Sequence, residues 1–344
     1  TGRGRAKPDS LGKSKESCPE ARAPGRSIGE THLHRSKYSY VPTEENMQNY
    51  RNSNIRYAKL ENKNVLMVNM GRKRNGFNIC SKCGGAEVDD GKAKDKFFIS
   101  QPYHDRRLCD HKGSVKTNIF LGYEFLTDMF MIDIQYDKDK FVSNDSYEEM
   151  AILKAAVTTL HESIRKAVSL ELDIDYNEIN GGWRPNFNNG NSIELFFYDN
   201  LSSGAGYSSL IGDVLENVLK KAREILLNCD CSRSCKKCLD NFNNQKNHQY
   251  FNRKLGLQLL DYAEFGIVPG NYSLEQQKEM LLPLKTLVQN DMKRDLDSLD
   301  VSIVVVPDLL KKSNNKDTIY FNSYDLSDWL PTSFMKINEI LLDE

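Results

Sequence analysis

The sequence predicts an α/β protein of the mixed α+β kind, with a small β-rich zinc module followed by a strand–helix zinc module carrying long amphipathic helices. Three observations lead there. Four thiols crowd into Cys229-Asp230-Cys231-Ser232-Arg233-Ser234-Cys235-Lys236-Lys237-Cys238, a C-x-C-x3-C-x2-C loop. A second pair stands in Cys80-Ser81-Lys82-Cys83-Gly84-Gly85, and between these loops strand-length apolar runs alternate with three- and four-residue helical periodicity. Gaps of one to three residues suit a reversing loop that places four sulfurs at about 2.3 Å around one tetrahedral cation. Zinc is the expected metal, because four thiolates suit zinc or an iron–sulfur cluster and no ferredoxin-type spacing follows.

At 344 residues the chain is long enough for two domains. A net charge of -1 offers no global attraction to nucleic acid, so any basic surface must be local. Eight cysteines are too sparse for a disulfide scaffold, and all but Cys18 fall into the two clusters. A reducing, cytoplasmic setting is expected. With no apolar run of about 18 residues and no apolar N-terminal segment, neither a membrane span nor a secretory signal is expected.

In chain order, residues 1–45 carry Arg3, Arg5, Lys7, Lys13, Lys15, Arg22, Arg26, Arg35 and Lys37 among Gly, Pro and Ser, which predicts a basic, disordered arm. Residues 46–138 are expected to form the β-rich module. Its parts are a strand over 64–70, the turn Arg72-Lys73-Arg74-Asn75-Gly76, and a short strand at 77–79 that delivers Cys80 and Cys83. The glycines that follow permit the positive φ of a zinc knuckle. Cys109 is the third expected ligand and His111 the fourth, with His104 as the other candidate. A long strand is predicted from Asn118 to Tyr136.

Residues 139–268 are expected to form the strand–helix module. Ser146-Tyr147-Glu148-Glu149 reads as a capping box ahead of a helix with the stripe Met150, Leu153, Val157, Leu160, Ile164 and Val168. His161-Glu162 opens like a metalloprotease motif, but Arg165 stands where the second histidine is required. A loop is predicted around Gly181-Gly182-Trp183-Arg184-Pro185, then a strand over 193–199. Next comes the turn Ser202-Ser203-Gly204-Ala205-Gly206, and then one long amphipathic helix through Ile211, Val214, Leu215, Val218, Ala222, Ile225 and Leu226 that ends at the four-cysteine loop. The glycine-rich turn is expected to be structural, since no lysine follows Gly206 until Lys220, which excludes a Walker A loop. A helix over 252–260 should pack back on the cysteines, with His248 as a polar neighbour. Residues 269–344 form an extension with a charged helix over 274–299 and a strand over 302–307.

The ordered set Val68-Asn69-Met70-Gly71, Gly76-Phe77, Cys80-Ser81-Lys82-Cys83-Gly84, Leu121-Gly122-Tyr123-Glu124-Phe125-Leu126-Thr127-Asp128, Tyr198-Asp199, Gly204-Ala205-Gly206-Tyr207, the four-cysteine loop and Asn244-Gln245 resembles the zinc-binding domain of MrfA-like helicases. That domain also occurs in DrmB of the DISARM anti-phage system. The resemblance covers about residues 54–265; Ser203, Leu126 and Ser234 stand where the family usually has Gly, Arg and Gly. It implies a DNA-helicase-associated module, in phage defence or DNA repair, with a superfamily 2 helicase as partner subunit or fused core.

The expected ligand sets are therefore Cys229, Cys231, Cys235 and Cys238 for one zinc, and Cys80, Cys83, Cys109 and His111 for the other, both structural. Arg72, Lys73, Arg74, Arg106, Arg107, Arg233, Lys236, Lys237, Arg253 and Lys254 flank these loops and are candidate phosphate contacts. The functional expectation is a non-catalytic zinc module that binds DNA, docks the motor subunit, or does both. A protein-assembly scaffold without DNA binding is the alternative. A metal-dependent nuclease using Glu124, Asp128, Asp133 or Asp199 is the third class.

Overall fold

A computed structural model describes residues 34–38, 47–71, 75–89, 99, 101, 108–111, 113–143, 146–186, 192–201, 205–298, 301–313 and 317–343. Contacts divide the chain into two compact units, Thr1–Val41 with Asn62–Thr127 and Pro42–Glu61 with Asp128–Glu344. No helix among the described residues is long and apolar enough to cross a membrane.

In the first unit, β1 (His34–Tyr38) pairs antiparallel with the second half of β3 (Ile55–Asn69), His34 opposite Asn69. These five residues are strand where a disordered arm was expected; residues 1–33 and 39–46 lie outside the description. A three-stranded sheet follows, ordered β5 (Ala86–Val88), β4 (Phe77–Cys80), β6 (Val115–Ile119). Its buried apolar side chains are Phe77 and Ile79, covered by Ala86, Val88, Ile119 and Leu121. So small a core needs a further staple to hold its fold. The long strand predicted from Asn118 is interrupted: β6 ends at Ile119 and β7 (Leu121–Gln135) begins after Phe120, next to Asn118 at φ 56°. Asparagine tolerates that left-handed backbone better than most residues.

In the second unit the hydrogen-bonded strand order is β3, β7, β9 (Ser192–Asp199), β8 (Ile179–Asn186), with β2 (Gln48–Asn49) also on β3. The glycine-rich stretch expected as a loop is strand β8, paired antiparallel with β9 along its whole length. Gly181 is what permits the pairing there, because a Cβ would lie 2.2 Å from the Phe196 carbonyl oxygen and 2.7 Å from His161 Nε2. Every residue of β9 is buried.

Helix α1 (Tyr147–Glu171) starts as expected at Ser146, whose side chain accepts from the Glu149 N–H. The reciprocal half of the capping box goes elsewhere: Glu149 accepts from the Ser143 N–H at 2.8 Å and from its hydroxyl. α1 is buried beyond its apolar stripe, with Thr158, Thr159, His161, Glu162, Ser163 and Arg165 inside as well. It is enclosed by β8, α3 (Leu215–Leu227) and α4 (Arg253–Phe265). The single helix expected over 211–226 begins only at Leu215, as α3, after a separate short helix α2 (Tyr207–Leu210).

The C-terminal segment builds its own core of Leu284, Val288, Leu296, Val305, Ile319, Phe321, Leu326 and Ile337. These come from α5 (Leu274–Met292), the parallel pair β10 (Ser302–Val305) and β11 (Thr318–Phe321), α6 (Ser323–Ser327) and α7 (Leu330–Asp343). α5 stops seven residues short of the expected end, at Lys293 in the left-handed conformation.

Candidate metal centres

The four-cysteine loop begins one residue after the C-cap of α3, so the helix aims it. Its sulfurs lie 3.4 Å (Cys229–Cys231), 3.5 Å (Cys229–Cys235), 3.7 Å (Cys231–Cys238) and 3.9 Å (Cys235–Cys238) apart. A tetrahedron with zinc–sulfur bonds of about 2.3 Å has edges of about 3.8 Å. The donor set fits zinc in chemistry and size. The N–H groups of Cys238 and Lys237 draw the Cys235 thiol down to about 7, while burial and the neighbouring thiols push Cys231 up to about 12. Four crowded thiols resist ionising together, which is the field a divalent cation relieves.

The first unit holds the other set. Cys80, Cys83, Cys109 and His111 place their ligand atoms within 4.8 Å of one another. Cys83 and Cys109 sulfurs are 3.7 Å apart, and His111 Nδ1 is 3.6 Å from both Cys80 and Cys109. A mixed sulfur–nitrogen edge around zinc is about 3.5 Å, so His111 fits through Nδ1. Gly84, at φ 72°, turns the knuckle so that the Gly85 N–H reaches Cys83 Sγ at 3.4 Å. Burial pushes Cys83 up to about 12; for Cys80 it acts the same way but is outweighed by the N–H groups of Cys83 and Lys82, which leave that thiol at about 6. His104 lies outside the described residues.

The candidate phosphate contacts divide sharply. Arg72, Lys73, Arg74, Arg106 and Arg107 lie outside the described residues. Lys236, Lys237 and Lys254 are exposed beside the four-cysteine loop. Arg253 and Arg233 also hold the loop from within. Arg253 Nε donates to the Cys231 carbonyl at 2.7 Å and Nη1 to Leu226 at 3.3 Å. Arg233 donates to the carbonyls of Phe251 and Gln249 and pairs with Asp328 at 2.7 Å.

Support that no sequence motif marks comes from α1. Lys166 donates to the Cys238 carbonyl. Buried Glu162 accepts from Arg165 and from Asn244 Nδ2, which also donates to the Leu239 carbonyl; Asn244 Oδ1 meets His248 at 2.7 Å. Such outer contacts orient ligand loops. The signal in the sequence is the Asn244-Gln245 pair, which belongs to the resemblance to the MrfA-like zinc-binding domain.

The glycine-rich turn is closed to phosphate by the protein's own anion: fully buried Asp199 accepts from the N–H groups of Ala205, Tyr207 and Ser208 at 2.7, 3.2 and 2.7 Å. Of the other candidate nuclease acids, buried Asp133 is bound by Arg56 at 2.7 and 3.0 Å, and Glu124 is exposed. Among the described residues the two cysteine-rich groups are the clusters of three or more metal-ligating side chains, and none of these acids joins one.

Fold and site thus define a mixed α/β protein with two cysteine-rich groups suited to two zinc ions. Residues 160–239 match the family model of the MrfA Zn-binding domain, a span that takes in the second half of α1 and the four-cysteine loop. The chain is 30% identical over 314 residues to the Druantia protein DruE of Escherichia coli (strain UMEA 4076-1), an alignment covering 80% of this chain and 17% of that protein. The chain therefore spans about a sixth of the length of that curated relative. Among solved structures it is similar to the DUF1998 helicase MrfA bound to DNA, with 11% identity, 67% of this chain and 25% of that chain covered, and a TM-score of 0.40. A second crystal structure of that helicase gives 10% identity, 64% and 24% coverage, and a TM-score of 0.32.

Proposed function

We propose that this chain is a non-catalytic, zinc-stapled module that works with a superfamily 2 DNA helicase, contacting DNA and docking the motor, in phage defence or DNA repair in the cytoplasm. What supports the non-catalytic part is that each site offers four ligand side chains at spacings suited to a tetrahedral ion, the full protein donor set that structural zinc sites use. The match of residues 160–239 to the MrfA Zn-binding domain supports the helicase association. Exposed Lys236, Lys237 and Lys254 beside the second site supply the phosphate-neutralising charge that DNA affinity requires.

The test is fluorescence anisotropy of labelled single- and double-stranded DNA with the zinc-loaded chain across a salt series. Affinity is expected to fall linearly on a log–log plot with a slope of about two to three, one counterion per exposed lysine. A flat salt response, or no binding, refutes the DNA part. The second reading is a protein-assembly scaffold, favoured by the capture of Arg233 and Arg253 by the chain's own carbonyls. Co-purification of a helicase that survives nuclease treatment, without measurable DNA affinity, decides for it.

A further inference from the structure

A cleft of about 430 Å³ lies in the second unit where three stretches meet: the four-cysteine loop (Ser232, Arg233), the start of α4 (Asn252, Lys254), and α6 with the residue after it (Ser323, Tyr324, Ser327, Asp328). Every lining side chain is polar, with two cations against one carboxylate. The Arg233 guanidinium is held in place from behind by the Phe251 and Gln249 carbonyls and lies 5.6 Å from the centre of the Tyr324 ring. Its remaining face is turned to the Asp328 carboxylate, which also accepts from Ser327 Oγ at 2.9 Å. Both members of this pair are more than a third exposed, 39% and 37%, so the carboxylate can be exchanged for another anion at small loss. Lys254, exposed at the rim, has no ion-pair partner among the described residues.

We propose that this cleft receives a phosphodiester of a nucleic acid strand, which displaces Asp328 from Arg233 and is neutralised by Arg233 and Lys254, Asp328 acting as the resident competitor. A fixed guanidinium that presents Nη1, with the long-stemmed ammonium of Lys254 beside it, suits an oxyanion. The choice of nucleic acid as the source of the phosphate rests on the function proposed above; free phosphate presents the same chemistry.

The experiment uses the zinc-loaded full chain and a labelled single-stranded oligonucleotide. Asp328→Asn keeps the shape and removes the competing charge, so DNA should bind more tightly, by up to about fivefold at low salt, with the gain fading as salt rises. Lys254→Ala should weaken binding and lower the salt slope by about one. Melting temperature and zinc content are read alongside, and both variants should match the parent. Unchanged or weaker binding by Asp328→Asn, or an unaltered slope for Lys254→Ala, overturns the assignment. Should the parent chain bind no DNA, the proposed function fails and the cleft is judged on inorganic phosphate alone. A phosphate-dependent rise in melting temperature, larger in Asp328→Asn and lost in Lys254→Ala, upholds it, and no rise overturns it.

Discussion

Arg253 and Lys254 are adjacent, both basic and both beside a metal loop, yet the structure predicts opposite results for their removal. The Arg253 guanidinium makes two charge-assisted hydrogen bonds, to the Cys231 and Leu226 carbonyls, tying α4 to the last turn of α3 and to the ligand loop. Bonds of this kind are worth about 1.5–3 kcal/mol each, and the 3.3 Å contact belongs at the low end, so Arg253→Ala should cost about 3–4 kcal/mol. For a domain of this size each kcal/mol lowers the melting temperature by about 2–4 °C, which puts the drop at roughly 10 °C. Lys254→Ala, an exposed change, should stay within about 0.5 kcal/mol of the parent. Thermal melts followed by circular dichroism at fixed zinc read both, and Arg253→Lys separates charge from geometry: it keeps the charge but loses the fork, so most of the destabilisation should remain. The reasoning is refuted if Arg253→Ala melts within about 2 °C of the parent while its DNA affinity collapses, for then the guanidinium serves a phosphate and not the loop.

Other outcomes follow from the same geometry. Elemental analysis should find two zinc ions per chain; His111→Ala or Cys109→Ser should leave one, Cys235→Ser should leave the other, and His104→Ala should leave both. His161 is buried against Phe197, and that burial, with Arg165 assisting, holds it near 3, below its ordinary value of 6.5. A depressed folded-state value means the neutral ring's contribution is intact above about pH 6.5 and is lost as pH falls toward 3, by up to about 1.4 kcal/mol per pH unit. Urea midpoints at pH 7 and pH 5 should therefore diverge less in His161→Leu than in the parent; parallel losses would remove histidine from the account. Gly181→Ala forces a methyl to within 2.2 Å of the Phe196 carbonyl oxygen, and should cost about 1–3 kcal/mol or leave insoluble protein, whereas an unaltered melt would mean β8 and β9 are not paired as described.

The two ligand sets were legible in the chain because chelation is a short-range constraint: Cys229, Cys231, Cys235 and Cys238 are so close in sequence that almost any compact loop joins them, and Cys80 with Cys83 forms a knuckle by itself. The same holds for the start of α1 at Ser146, where one side chain and one N–H three residues on decide the matter. Reach fails where partners are distant. Gly181 and Gly182 look like a loop until Phe196 and His161 are seen to need their missing side chains, and no residue near Arg253 in the sequence points to the Cys231 carbonyl that lies 2.7 Å from its Nε. Likewise Asp199 reads in the sequence as a candidate nuclease acid, whereas its carboxylate accepts from the N–H groups at the turn ahead of α2.

What the amino-acid order determined alone was therefore the metal chemistry and the start of α1 at Ser146, since both depend on residues a few positions apart. What only the tertiary structure decided was the employment of the charged groups. A guanidinium or carboxylate takes its role from whichever distant carbonyl, amide or counter-ion the packed chain brings within about 3 Å, and charge alone carries no record of that neighbour.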